Sequence, residues 1–154
     1  MDKVVEGSHF VIHLASPVPG PVVRYEEDIV NPAVSGTLHI LAAAQRHQVK
    51  RVVITSSLCA CSEFKPGQTP AIIDESCWSD MQSTNMSAYT KSKLLAEEAA
   101  WNYVNTLPDS GHKVELVTLL PGFVIGEYIA AGMNTSTSVI KQFMDGQFDV
   151  IPKK

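Results

Sequence analysis

Three short runs rich in β-branched residues, HFVIHLA (9–15), RVVITSS (51–57) and VELVTLL (114–120), alternate with two helical stretches, and this order constrains the fold more than any other feature. Each run has strand length and ends near Ser, Pro or Gly, the pattern of strands buried on both faces of a parallel sheet. Between the first two, VNPAVSGTLHILAAAQRHQ (30–48) offers Asn31 as a cap and Pro32 in the first turn, with Val34, Leu38, Leu41 and Ala42 on one face. A start near Glu26, with Pro32 bending the helix, is the alternative. Between the second and third runs, MSAYTKSKLLAEEAAWNYVNTL (86–107) has Ser87 as a cap and strong helix formers throughout, its apolar side holding Leu94, Leu95, Ala99 and Val104. Right-handed crossovers turn this order into an α/β fold with a doubly wound parallel sheet. The stretches 61–80 and 121–138 read as long loops after strand C-termini, where open α/β sheets bind ligands.

Several function classes are excluded by what the chain lacks. The formal charge is −4 and the densest basic group is Lys153–Lys154, so there is no basic stripe for nucleic acid. Apolar residues make up 45% and charged residues 18%, without the long apolar run of a membrane span, which predicts a soluble protein. Cys59, Cys61 and Cys77 are an odd set with no metal-ligand spacing, and the N-terminal stretch lacks the regions of a signal peptide. Reduced thiols and a cytoplasmic location are therefore expected. So are bare sequons at Asn85 and Asn134 and no metal site, with Asp74, Glu75 and Asp80 capping turns.

The chemistry lies in STNMSAYTKSK (83–93), where Tyr89 and Lys93 stand four apart on one helix face. If that helix passes the carboxyl end of the second strand, TSS (55–57) brings Ser57 to the same point. Hydride arriving at a carbonyl carbon leaves negative charge on oxygen, and a donor must supply a proton as that charge develops. A phenol on its own ionises near pH 10, at about the unperturbed value, and an ammonium one helical turn away favours the phenolate. A serine hydroxyl would hold the carbonyl oxygen in place. Spacing alone is weak support, because Tyr and Lys four apart also occur by chance on solvated helices.

HLASP (13–17), VITSS (53–57), DESCWSD (74–80), YTKSKLLAEEAAW (89–101) and LLPGFVIG (119–126) occur in the order found in extended short-chain dehydrogenases/reductases. The chain most resembles the dihydroflavonol reductase and cinnamoyl-CoA reductase branch, for which DESCWSD is a near-verbatim signature. The resemblance implies a catalytic set of Ser57, Tyr89 and Lys93, and an NADP(H)-dependent reduction of a small ketone or aldehyde, with NAD the other possible cofactor. It also implies cofactor contacts at Leu14, Ala15 and Ser16, at Thr55 and Ser56, at Tyr89 and Lys93, at Pro121, Gly122, Phe123 and Val124, and at Ser136. Sugar-nucleotide epimerases or dehydratases and hydroxysteroid dehydrogenases share the triad and are the alternatives, as is an inactive binding module; an oligomer is possible.

Two departures stand out. Glu127 replaces the family's usual proline, and no GxxGxxG fingerprint occurs anywhere in the 154 residues. The chain thus resembles the central portion of a longer reductase, with a partial Rossmann-like domain at 1–126 and the start of a substrate-binding lobe at 127–154. Without the glycine-rich unit the pyrophosphate would lack its cradle at a helix N-terminus, and a sheet edge would lie open. Of the remaining candidates, His13 reads as a crevice histidine rather than a base, His39 and His47 as surface or packing residues, and Trp78 as the packing anchor of its loop.

Overall fold

The computed structural model describes residues 1–18, 25–126 and 135–147. The chain folds as two compact units, Met1–Pro121 and Gly122–Lys154. The first holds α1 (Asp2–Val5), β1 (Phe10–His13), α2 (Glu27–Arg46), β2 (Arg51–Thr55), a 3-10 turn (Leu58–Ala60), α3 (Ala88–Asn105) and β3 (Glu115–Leu119). In the second, α4 spans Thr135–Met144. Glu127 and Asn134 lie outside the described residues, as do Lys153 and Lys154. Among the described residues no helix is long and apolar enough to cross a membrane.

The three strands pair in parallel in the order β1-β2-β3, with Ile12 opposite Val53 and Val53 opposite Val117. Side chains alternate across a sheet. Val52, Ile54 and Leu116 therefore share one face, where they join Ile40, Leu41, Ala43 and Ala44 of α2 and Ala100 and Val104 of α3 in a single core. Both crossover helices cover this face. The opposite face is where the expectation of two-sided burial fails: Phe10 and Ile12 of β1 are 63% and 66% exposed, and Arg51 and Glu115 form an exposed cross-strand ion pair at 2.6 Å. β-branched composition signals a strand that can be buried on both faces, but coverage depends on elements that a strand's own residues do not specify.

The sequence pattern misplaces the buried stripe of α2. The helix takes the earlier start, so Asn31 is an exposed interior residue rather than the cap, and Pro32 sits in the second turn, where its missing N–H costs one bond near a helix end. The Glu26 carboxylate instead meets Lys91 of α3 at 2.5 Å. The inward stripe is Ala33, Thr37, Ile40, Leu41 and Ala44, whereas Val34 and Leu38 face outward with Leu95 and Ala99 of α3, lining a cleft of about 640 Å³ between the helices. Ser87 caps α3 as the sequence predicts, its hydroxyl accepting from the Thr90 N–H at 3.0 Å. Leu41 has no exposed surface. Leu41→Ala should cost about 3 kcal/mol of stability, because the helices and sheet cannot collapse onto the void; an unfolding free energy from urea titration lowered by less than about 1 kcal/mol would contradict this packing.

Candidate active site

The site is built where α3 passes the carboxyl end of β2. Lys93 lies in the second turn of α3 and is only 7% exposed, which for a lysine requires a partner. Its Nζ donates to the Thr55 carbonyl at 3.1 Å, so the helix is tied to the last residue of the middle strand. Tyr89, one turn earlier and half-buried, places its ring centroid 5.8 Å from the same Nζ. Burial pushes the Lys93 ammonium below its ordinary range, and the nearby Cys59 and Glu97 oppose that displacement. The expected juxtaposition of tyrosine and lysine at a strand tip is present.

Ser57 follows two residues after Thr55. It is buried and extended, and its Oγ accepts the Cys59 N–H at 3.2 Å as it opens the 3-10 turn; among the described residues its hydroxyl hydrogen has no acceptor. The Ser56 N–H donates to the Leu119 carbonyl at 2.8 Å and the Leu58 N–H to the Pro121 carbonyl at 3.1 Å, so β2 and β3 stay clipped together past their ends. Pro121 thus sits beside the serine-bearing turn. Ser56 turns its hydroxyl inward to the Glu97 carboxylate and is 4% exposed, which makes it an internal tie rather than an open donor. Gly122, Phe123 and Val124 are exposed residues of the second unit, and Ser136 is a half-buried residue of α4 in that unit.

At the end of β1, Leu14 and Ala15 are exposed and Ser16 is half-buried. Ala15 and Ser16 join His13, Thr37, Thr55 and Lys93 around a small cavity of about 10 Å³. His13 points to the helix-covered side, and burial, followed by the charge of Lys93, lowers its pKa from the ordinary 6.5. The unfolded chain therefore binds more protons between the lowered folded value and 6.5, so this contribution to stability is complete above 6.5 and is lost as the pH falls below it. We expect the acid side of the stability curve to flatten in His13→Asn, followed by thermal melts across the acid range; identical slopes in the two proteins would refute the assignment.

The DESCWSD loop is held by a residue that the sequence gives no reason to choose. Trp78 is 39% exposed and is not the anchor. Ser79, 6% exposed, donates through Oγ to the Cys59 carbonyl at 2.7 Å and accepts the Glu63 N–H at 2.9 Å, while its own N–H donates to the Ala60 carbonyl. Asp74 and Asp80 cap turns as expected: Asp74 accepts the Ser76 N–H at 2.9 Å and Asp80 the Gln82 N–H at 2.8 Å. Glu97 is the other residue that sequence reasoning passed over. Its position four residues after Lys93, on the same helix face, is the signal that would have found it.

Parallel strands with crossover helices, and a buried lysine beside a tyrosine at the tip of the middle strand, define the Rossmann-type class of short-chain dehydrogenases/reductases. The chain belongs to the 3-beta hydroxysteroid dehydrogenase/isomerase family, which matches residues 1–147. It is 35% identical over 149 residues to cinnamoyl-CoA reductase CAD2 of Medicago truncatula, covering 94% of this chain and 44% of that protein. It is 32% identical over 151 residues to a putative anthocyanidin reductase of Ginkgo biloba, covering 94% and 43%. Among solved structures, yeast methylglyoxal/isovaleraldehyde reductase Gre2 complexed with NADPH superposes with a TM-score of 0.75 at 29% identity, over 94% of this chain and 46% of that one. The chain spans less than half the length of these relatives.

Proposed function

We propose that the chain supplies the proton-donating side of an NADP(H)-dependent reductase that converts a ketone or aldehyde of a small organic molecule to the alcohol. The observation that carries this reading is the buried Lys93 ammonium, fixed to the end of β2 with Tyr89 one turn away. An ammonium has three donors, and the Thr55 carbonyl takes one, so two remain for the hydroxyls of a nicotinamide ribose. The residues thus fit the cofactor named in the Gre2 complex. When bound, the reduced nicotinamide supplies hydride to the carbonyl carbon.

Tyr89 donates its phenolic proton to the oxygen as charge develops there. Lys93 stabilises the phenolate left behind and orients the ribose. Ser57 donates its hydroxyl hydrogen to the same oxygen and fixes its direction. On the same reading Leu14, Ala15, Ser16 and Pro121 of the first unit would contact the cofactor. On that reading too, α4 (Thr135–Met144) belongs to the substrate-binding side, and the reduction takes place in the cytoplasm.

The test is loss of reduced-nicotinamide absorbance with a panel of small aldehydes and ketones, run also in reverse with hydroxysteroids because of the family match. Carbonyl-dependent oxidation of NADPH is the expected result. Turnover of alcohols alone would replace this reading by the dehydrogenase one, and no turnover in either direction would remove both.

A further inference from the structure

The Tyr89–Lys93 face of α3 continues for two more turns, to Glu97 and Trp101. Glu97 is 5% exposed, too deep for a carboxylate without compensation. One oxygen accepts the Ser56 hydroxyl, in a short contact, and the other accepts the Trp101 indole N–H at 3.4 Å. Consecutive turns of α3 therefore grip consecutive residues at the tip of β2: Lys93 holds Thr55 through its carbonyl, and Glu97 holds Ser56 through its hydroxyl. Ser57 is the next residue along. Lys93 and Glu97, one turn apart on α3, line the same small cavity with His13 of β1 and Thr55 and Ser56 at the end of β2, and the Tyr89 ring lies 5.8 Å from the ammonium. The Cys59 thiol in the 3-10 turn also faces Lys93, and the Cys61 thiol faces Glu97. Glu97 is the carboxylate among these groups.

We propose that Glu97 is a positioning residue of this site: its carboxylate is the counter-charge to the buried Lys93 ammonium and, through Ser56, it fixes the turn that presents Ser57. The catalytic half of this assignment rests on the reductase reading; the electrostatic half does not. Glu97 touches no reacting atom. It acts by keeping the ammonium charged where water cannot solvate it, and by removing the freedom of the serine-bearing turn to rotate.

The experiment uses the intact chain without cofactor or substrate, with lysine side chains labelled with carbon-13 at Cε and the Lys93 signal identified by its disappearance in Lys93→Met. Glu97→Gln keeps an acceptor for Ser56 and Trp101 but removes the charge, so the Lys93 midpoint should fall by about one pH unit or more. Glu97→Asp, which restores the charge, should recover most of that displacement. An unchanged Lys93 midpoint in a folded Glu97→Gln protein overturns the proposal. If that variant does not fold, the wild-type chain decides the matter. The acid midpoint at which the Trp101 indole resonance moves must also appear in the Lys93 signal, and its absence there overturns the proposal equally. Failure of the reductase reading is seen separately, as NADPH leaving both signals unmoved while their mutual coupling persists.

Discussion

Replacing Tyr89 by phenylalanine should reduce carbonyl turnover by roughly a thousandfold, within the range that a positioned proton donor contributes. The change deletes one oxygen and keeps the ring beside Lys93, so the fold and the buried ammonium are undisturbed. NADPH affinity should stay within about a factor of three, because on the proposed roles the ribose is held by Lys93 and not by the phenol. Single-turnover oxidation of NADPH gives the rate, and fluorescence titration gives the affinity. A Tyr89→Phe protein that turns over at near the parental rate would assign the proton to another group and reduce Tyr89 to a packing residue.

Lys93→Met should damage both quantities. Methionine fits the space of the lysine stem but leaves the Thr55 carbonyl without its partner, and a buried unsatisfied acceptor costs on the order of 1–3 kcal/mol. The Glu97 carboxylate, 5% exposed, loses its neighbouring cation at the same time. We expect cofactor affinity to fall tenfold or more, turnover to fall about a hundredfold, and the melting temperature to drop. Thermal melts and steady-state kinetics on one preparation separate these effects. A variant that loses stability but keeps both affinity and turnover would leave Lys93 as a helix-to-strand tie and nothing more.

How far such a site can be read from sequence depends on whether the deciding interaction is local. The order of strands and helices, the Ser87 cap and the shared face of Tyr89 and Lys93 follow from backbone periodicity, and the structure reproduces them. The buried stripe of α2 does not follow. That helix carries apolar residues on more than one face, and which of them turns inward is set by α3 and the sheet together. The exposed Phe10 and Ile12 make the same point, since a strand's composition does not record whether its second face is covered. Ser79 holds the DESCWSD loop through carbonyl and N–H groups some twenty residues away in the chain, so a small polar residue among several gave no reason to prefer it. Glu97 was within reach. The Tyr-Lys spacing extended by one further turn leads to it, and its partners Ser56 and Trp101 lie in segments already singled out.

The central claim is that a phenol and a buried ammonium on one helix turn form the surface on which a nicotinamide nucleotide is bound and used. Its most direct test is titration of the chain with NADPH while the Tyr89 ring and Lys93 side-chain resonances are followed together. Both resonances should move with a single shared binding curve. Binding that leaves the two signals in place, or no binding at millimolar NADPH, would contradict it.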